Sequence, residues 1–287
     1  MPRVALILER FSFFLTQSNA CFLRALACET PATATTPPLA RPRFMAASPS
    51  SSALPVIRGD ALDYYLGQGY YRMQQELFTC QFVPFDGRLY TAHWLRLELA
   101  RVQWGPEQQR LLRRNARFAT TIRPLRLTPE HEELYARYRE AITFDAAPTV
   151  EAVLLDGATH NVFNTYIIEL RDGGQLIAAG IFDRGARSLA GILNFYDPAY
   201  RKHSLGKYLL LLKTDHARRL QFDYYYPGYL VHDYPKFDYK LFPCATATEF
   251  FDSVGGQWQP YSRDVVAAHS AVLLTDWLPE DLTSLAE

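Results

Sequence analysis

The side chains with the widest chemical reach lie between Asp197 and Pro243. A polar, basic turn carries Arg201, Lys202, His203 and Ser204 and ends in Leu205-Gly206. Three phenols follow (Tyr224, Tyr225, Tyr226), then His232 beside Asp233, then Lys236 and Lys240. By type, His232 is the proton acceptor, because imidazole titrates nearest to neutral pH. A glycine turn that opens a helix presents free backbone N–H groups and the positive end of the helix dipole, which suits a phosphate. A strand after such a helix, polar at its end, can hold the groups of an acyl transfer. Upstream, Arg110, Arg113, Arg114 and Arg117 recur at helical spacing. At about 100° per residue they share one face, with Leu111 and Phe118 on the other. Such a stripe suits a nucleic-acid backbone, which needs clustered cations more than net charge. It also reads as the solvated side of an amphipathic helix. No HExxH, GxSxG, zinc spacing or GxxxxGK[ST] occurs, which excludes the peptidase, hydrolase and P-loop readings those motifs carry.

The elements that must position these groups read as mixed α/β. A short helix is expected over Ala61–Gly67. A strand pair, Tyr71–Val83 with Leu89–Leu97, turns at Asp86-Gly87. A basic helix follows over Pro106–Phe118, and another from Thr128 as N-cap and Pro129 at the first turn to Ile142. Strands are expected over Phe163–Leu170 and Gln175–Asp183, joined at Asp172-Gly173-Gly174, and over Ser188–Tyr196. An apolar helix runs from Tyr208 to Leu220, with Leu209, Leu212, His216 and Leu220 near one face. An aromatic strand, Phe222–Tyr226, breaks at Pro227-Gly228. On that strand Tyr225 faces opposite to Tyr224 and Tyr226.

The 287 residues are enough for one large domain or two modest ones. Apolar residues at 48% and aromatics at 14% make the chain globular and ring-rich. Formal charge is zero, so no global field draws in nucleic acid, yet Gln108–Pro129 holds six arginines and no acid. Four scattered cysteines (Cys21, Cys28, Cys80, Cys244) form no disulfide framework and suit a reducing, cytoplasmic setting. No apolar run is long enough to span a membrane. Residues 1–56 read as a disordered Pro/Ser/Thr/Ala extension, with Met45 an alternative start.

The wording of the 197–243 stretch resembles the carboxyl-terminal half of the arginyl-tRNA–protein transferases and the related leucyl-tRNA–protein transferases. The family's SLG turn, Tyr-rich strand, G-Y pair and P-K-M-x-Y-K segment have counterparts here. They are Ser204-Leu205-Gly206, Tyr224–Tyr226, Gly228-Tyr229 and Pro235-Lys236-Phe237-Asp238-Tyr239-Lys240, with Pro243 after them. Asp86-Gly87-Arg88, Arg110–Asn115 and Leu134-Tyr135-Ala136-Arg137-Tyr138 resemble upstream segments in the same order. One departure is plain. The family's amino-terminal cysteine cluster is missing, and Tyr234 replaces the cysteine of its C-P-K-M segment. No metal or redox role carries over, since one thiol at Cys80 cannot make a four-ligand zinc site.

The resemblance implies an acetyltransferase-like fold, a mixed sheet with helices on both faces, over residues 146–287. A smaller α+β region with the basic helix precedes it over residues 57–145. It implies transfer of arginine or leucine from aminoacyl-tRNA to protein amino termini that begin with Asp or Glu, without a cofactor or metal. Tyr226, His232 and Asp233 are the expected catalytic groups. Arg88, Arg113, Lys236 and Lys240 are expected to hold the acceptor carboxylate, which arginine grips through a bidentate fork. Arg110, Arg114, Arg117, Arg201, Lys202 and Gly206 are expected to hold tRNA. The competing readings are an acyl-CoA-dependent acyltransferase of the same fold and a binding module that has lost catalysis. The sequence leaves open which amino acid is donated and the oligomeric state.

Overall fold

The computed structural model describes residues 56–143 and 146–277; the readings for residues 1–55 lie outside the described residues. The fold opens with helix α1 (Asp60–Gly67), which buries Leu62 and Leu66 one turn apart. The 71–83 stretch, expected as one strand, divides. Tyr71–Met73 (β1) and Glu76–Phe78 (β2) make their own hairpin, because Gln74 adopts left-handed backbone (φ 55°) and turns the chain back. Only Phe82–Phe85 (β3) pairs with the long strand Arg88–Glu98 (β4), across the expected Asp86-Gly87 turn. Helix α2 (Pro106–Asn115) stops short of Phe118, so Arg117 lies beyond it. Next comes an edge strand that the sequence reading missed, Ala119–Pro124 (β5), exposed along most of its length.

Helix α3 (Pro129–Glu140) starts at Thr128 as expected. The Thr128 N–H donates to His131 Nδ1 at 3.1 Å, and His131 Nε2 lies 2.9 Å from Glu169 Oε1. A short helix, α4 (Val150–Leu154), precedes three antiparallel strands: β6 (Thr165–Asp172), β7 (Gln175–Arg184) and β8 (Ser188–Tyr196). A 3₁₀ turn (Pro198–His203) leads into helix α5 (Leu205–Arg219), then strand β9 (Tyr224–Val231) and a second 3₁₀ turn (Pro235–Leu241). The chain continues through β10 (Thr248–Asp252), β11 (Gln257–Pro260) and helix α6 (Arg263–Trp277).

Among the described residues, one mixed sheet runs in the order β11-β10-β4-β9-β8-β7-β6-β5, with β3 on β4. It takes strands from both sides of the residue 145/146 boundary, and the described residues from Ile57 onward belong to one compact unit. Alternation along the strands sorts the helices onto both faces. Ile168, Ala178, Leu189 and Tyr225 pack with α5, while Leu95 and Leu230 pack with α6 through Val266. Their neighbours Ile167 and Ala179 pack with α3 and α4, and Ala190, Trp94 and Tyr226 pack with α1. Helix α5 is buried around most of its girth. Leu205, Leu209 and Lys213 lie inside, whereas Leu212 and His216 are only half-buried, so the expected face is rotated.

Beneath the β1–β2 hairpin, Arg72 is buried against Asp183 of β7. Its Nη1 reaches Asp183 Oδ1 at 3.0 Å and Thr165 Oγ1 at 2.9 Å, and its Nη2 reaches the Leu154 carbonyl at 2.7 Å. This cluster ties the hairpin and α4 to the sheet.

Candidate active site at a fork in the sheet

The sheet's only parallel pair among the described residues, β8 with β9, pairs over three positions: Ser188, Ala190 and Leu189 against Tyr224, Tyr226 and Tyr225. Past Ala190 and Tyr226 the strands separate, β8 staying with β7 and β9 with β4. Three local causes act together. Pro227 has no N–H to give a ladder. Gly228 takes φ 103°, which only glycine adopts freely. The register also shifts between Leu95 and Leu97 opposite them. The expected break at Pro227-Gly228 is therefore a bend, and β9 continues to Val231. On the other side, β8 carries a bulge at Ile192, because Ile181 faces Leu193 while Phe182 faces Gly191.

Two buried lysines take the carbonyls that this irregularity frees. Lys213, from α5, donates to the Ile181 carbonyl at 2.7 Å and to Leu193 at 3.3 Å. Lys240, from the 235–241 turn, donates to the Tyr229 carbonyl at 2.6 Å, with Tyr229 and Phe237 rings 4.6 and 4.8 Å from its ammonium. Burial pushes both lysines down to about 7, opposed at Lys213 by Asp183 and at Lys240 by the Cys80 thiol. Lys213 went unnoticed in the sequence. A lysine four residues after Leu209 in a leucine run, on the helix's apolar side, is the signal that marks it.

The fork holds two further polar groups. Tyr225 Oη is buried on the α5 face without a hydrogen-bond partner, and Asn194 Oδ1 of β8 is likewise buried and unpartnered. Glycines make room for them. A Cβ on Gly191 would lie 2.8 Å from Tyr225 Oη, and one on Gly180 would lie 3.0 Å from Asn194 Oδ1. The Tyr196 ring ends the β8 side of the fork, against Gly206 at the start of α5.

Of the expected catalytic groups, Tyr226 is buried on the opposite, α1 face among Tyr71, Trp258 and Tyr224. Burial pushes its phenol up to about 12, against the pull of Arg96. His232 is half-buried just past β9. Its Nε2 lies 3.6 Å from Asp233 Oδ2, whose carboxylate is 81% exposed. Among the expected acceptor residues, Arg88 is exposed at the β3–β4 hairpin over Tyr90, and Arg113 is exposed rather than set among apolar groups. Lys236 is exposed on the 235–241 turn, whereas Lys240 is the buried amine described above.

Two segments that carry expected tRNA residues meet, through a contact the sequence does not reveal. Asn115, at the end of α2, is fully buried, and its Nδ2 donates to the His203 carbonyl at 2.9 Å. Arg114 Nη1 donates to the Lys202 carbonyl at 3.0 Å. This brings the end of α2, with exposed Arg114 and with exposed Arg110 one turn earlier on the same helix, against the turn that carries exposed Arg201 and Lys202 and leads to Gly206. The imidazole of His203 is pushed down by burial and by Arg117, Lys202 and Arg114, which reports the local positive field. Arg117 is partly neutralised by Asp172 at 3.6 Å.

A second polar cluster lies under α6. His93 Nε2 is 2.8 Å from Ser270 Oγ, and His93 Nδ1 is 3.3 Å from His269 Nδ1. His269 Nε2 lies 3.0 Å from Asp252 Oδ1, off the direction of a hydrogen bond. These residue types resemble a hydrolytic relay, but Ser270 is 1% exposed and its hydroxyl donates to the Val266 carbonyl. Burial, then His269 and His232, hold His93 down to about 3, so it stays neutral and the cluster serves to seat α6 on β4. Among the described residues, no group of His, Cys, Asp and Glu is arranged to hold a metal ion, and no helix is long and apolar enough to cross a membrane.

Residues 130–242, from α3 through the 235–241 turn, match a family model described as "Arginine-tRNA-protein transferase, C terminus". The aspartate/glutamate leucyltransferase of Hahella chejuensis is 32% identical over 139 residues, 46% of this chain and 58% of that protein. That of Thiobacillus denitrificans is 32% identical over 139 residues, 46% of this chain and 56% of that protein. That of Xylella fastidiosa is 29% identical over 178 residues, 57% of this chain and 66% of that protein. The chain thus spans little more than half the length of the first two. The solved L-PGS of Bacillus licheniformis shares 12% identity at a TM-score of 0.36, over 60% of this chain and 50% of that one, too slight a likeness to build on. The matched segment contains both arms of the fork, the helix beneath it and the turn that carries Lys240, so the part of the chain that is similar to the arginine-tRNA-protein transferases is the part that builds the fork.

Proposed function

We propose that the chain is an aminoacyl-tRNA–protein transferase that moves leucine or arginine onto amino termini beginning with Asp or Glu, on an acetyltransferase-like core. The observation that carries this reading is that the segment matching the family coincides with the elements that build the fork. The name of the relatives, aspartate/glutamate leucyltransferase, supports acidic acceptors. The α-nitrogen of the acceptor attacks the ester carbonyl carbon of the charged tRNA. A C–N bond forms, the C–O bond to the ribose breaks, and the amine proton ends on the departing ribose hydroxyl. An α-amino group has a pKa of about 7.7–8.0, so part of it is neutral at cellular pH, and holding amine and ester together supplies much of the acceleration. In this scheme Arg110, Arg114, Arg117, Arg201 and Lys202 hold the tRNA backbone beside the Gly206 helix start. Arg88, Arg113 and Lys236 face the acceptor, and His232 and Asp233 serve the proton movement, whereas Lys240, committed to the Tyr229 carbonyl, and Tyr226, buried on the α1 face, take no part in this scheme.

The test offers leucyl-tRNA, arginyl-tRNA or acetyl-CoA with Asp-, Glu- and Lys-initiated peptides. Labelling of acid-initiated peptides from charged tRNA is the expected result. Transfer from acetyl-CoA alone would assign the acyl-CoA chemistry instead, and silence with every donor would leave a binding module. Separately, changing Arg110, Arg114 and Arg201 together to Gln is expected to reduce the log–log salt slope of tRNA binding by about 2–3, nearly one per lost phosphate contact. Folding should persist, since all three are exposed and Gln is a comparable helix former. An unchanged slope would place the donor elsewhere.

A further inference from the structure

Two buried groups at the fork are left without partners, and a fold ordinarily satisfies such groups. Tyr225 is fully buried, yet its Oη has no partner, and Asn194 Oδ1 is in the same state. Both project on the α5 face of adjoining strands, where Gly191 and Gly180 leave them space. Tyr226, the next phenol on β9, faces the other way into an aromatic cluster. The chemistry displayed is one phenolic donor and one carbonyl acceptor. An α-aminoacyl ester presents the complement, a carbonyl oxygen that gains negative charge during transfer and an ammonium close to it. We infer that Tyr225 Oη and Asn194 Oδ1 form the subsite for the aminoacyl terminus of the donor, the phenol donating to the ester carbonyl oxygen and the amide oxygen accepting from the α-ammonium. This rests on the transferase reading above and assigns the oxyanion donor within it. Burial pushes the Tyr225 phenol well above its ordinary range, so it remains protonated and able to donate. The C–N and C–O bond changes are those already described. Tyr225 keeps its proton throughout, strengthening its hydrogen bond as charge builds on the oxygen.

Tyr225→Phe separates this role from a structural one. Removing a hydroxyl that bonds nothing in the fold should leave the melting temperature unchanged or raise it, whereas loss of a structural hydrogen bond would lower it. With the same variant, the single-turnover transfer rate should fall about 100-fold, the scale of one lost oxyanion donor, with the affinity for uncharged tRNA intact. A wild-type rate in the variant, or a melting temperature several degrees lower, overturns the assignment. A second readout needs no turnover. The leucyl and arginyl amides of 3′-amino-3′-deoxyadenosine copy the charged end of tRNA without a cleavable ester. The wild-type chain should bind at least one of them about tenfold more tightly than Tyr225→Phe does. It should also prefer that analogue over its counterpart lacking the α-amino group, and Asn194→Leu should erase the preference. Equal affinities, or no binding of either analogue to the wild type, overturn the subsite. If the wild type binds the analogues as described but transfers nothing from charged tRNA, it is the transferase reading that fails.

Discussion

Replacing Arg72 by Ala is expected to lower the unfolding free energy by about 3–5 kcal/mol, the largest stability effect of any single change considered for this chain. Both partners of the Arg72–Asp183 pair are inside the protein, at 1% and 0% side-chain exposure. Truncating the arginine leaves the carboxylate without its cation and leaves the Leu154 carbonyl without the donor at 2.7 Å. Burial already pushes the Asp183 carboxyl up against the pull of Arg72, so once the arginine is gone the acid is expected to take a proton. Urea unfolding at pH 7 measures the loss. The double variant Arg72→Met, Asp183→Leu should recover much of it, because an apolar pair of similar bulk carries no desolvation cost. A single variant within 1 kcal/mol of wild type would mean that the hairpin is not anchored here.

Stability should also rise as pH increases from about 7 to about 10, a window in which depressed carboxylates, already ionised in both states, add no slope. Lys213 falls from 10.5 in the unfolded chain to about 7 in the fold, because burial disfavours its charged form, and Lys240 does the same. Below pH 7 both states carry the proton, and the fold bears the full cost of two buried ammonium groups. Between the two values the unfolded chain binds a proton that the folded chain has released, so each unit of pH adds stability, by about 1.4 kcal/mol per lysine at most. Lys213→Met should make the dependence about half as steep, leaving the Lys240 contribution. Melting curves for the two proteins at intervals from pH 7 to 10 decide the matter. Parallel curves would mean that Lys213 stays charged inside the fold, held by the Ile181 and Leu193 carbonyls and by Asp183.

These lysines connect folding to the fork. A bulge in the β7–β8 ladder and a bend in β9 leave carbonyls without ladder partners on either side of the gap. A buried donor on a flexible stem can satisfy them without closing the gap. Lys213 supports β8 at its bulge and Lys240 supports β9 beyond its bend, one for each arm. The 235–241 turn is itself fastened to the β3–β4 hairpin. The Tyr234 ring stacks on Phe85 at 4.9 Å, and the Tyr234 hydroxyl donates to Asp86 Oδ2 at 3.2 Å. The residue that stands where the family has cysteine thus serves here as an aromatic clamp.

Local rules in the sequence determined much of the scaffold. Thr128 and Pro129 marked the start of α3, Asp86-Gly87 and Asp172-Gly173-Gly174 marked hairpin turns, and period-two alternation placed Tyr225 on the face opposite Tyr224 and Tyr226. Each is decided by a few neighbouring φ/ψ values or by strand geometry, so no distant residue can overrule it easily. The quoted motifs also pointed to the family whose model matches residues 130–242. Other features depended on partners far along the chain. Gln74 in the left-handed region divided a stretch that reads as one strand. The exposed Thr-rich edge of β5 earned its place only by pairing with β6. Elements β10, β11 and α6 were missed in the sequence, although Gly255-Gly256 between the two strands is a turn signal. Side-chain roles were the least legible, because a hydroxyl or an amine acquires its role from what surrounds it. His232 and Asp233, adjacent in sequence, lie at the surface, whereas Tyr225 and Asn194, thirty-one positions apart by their numbers, come to one fork with their polar atoms unpartnered. That juxtaposition exists only because β8 and β9 pair for three residues and then part, a decision made by the bulge, the bend and two buried lysines together.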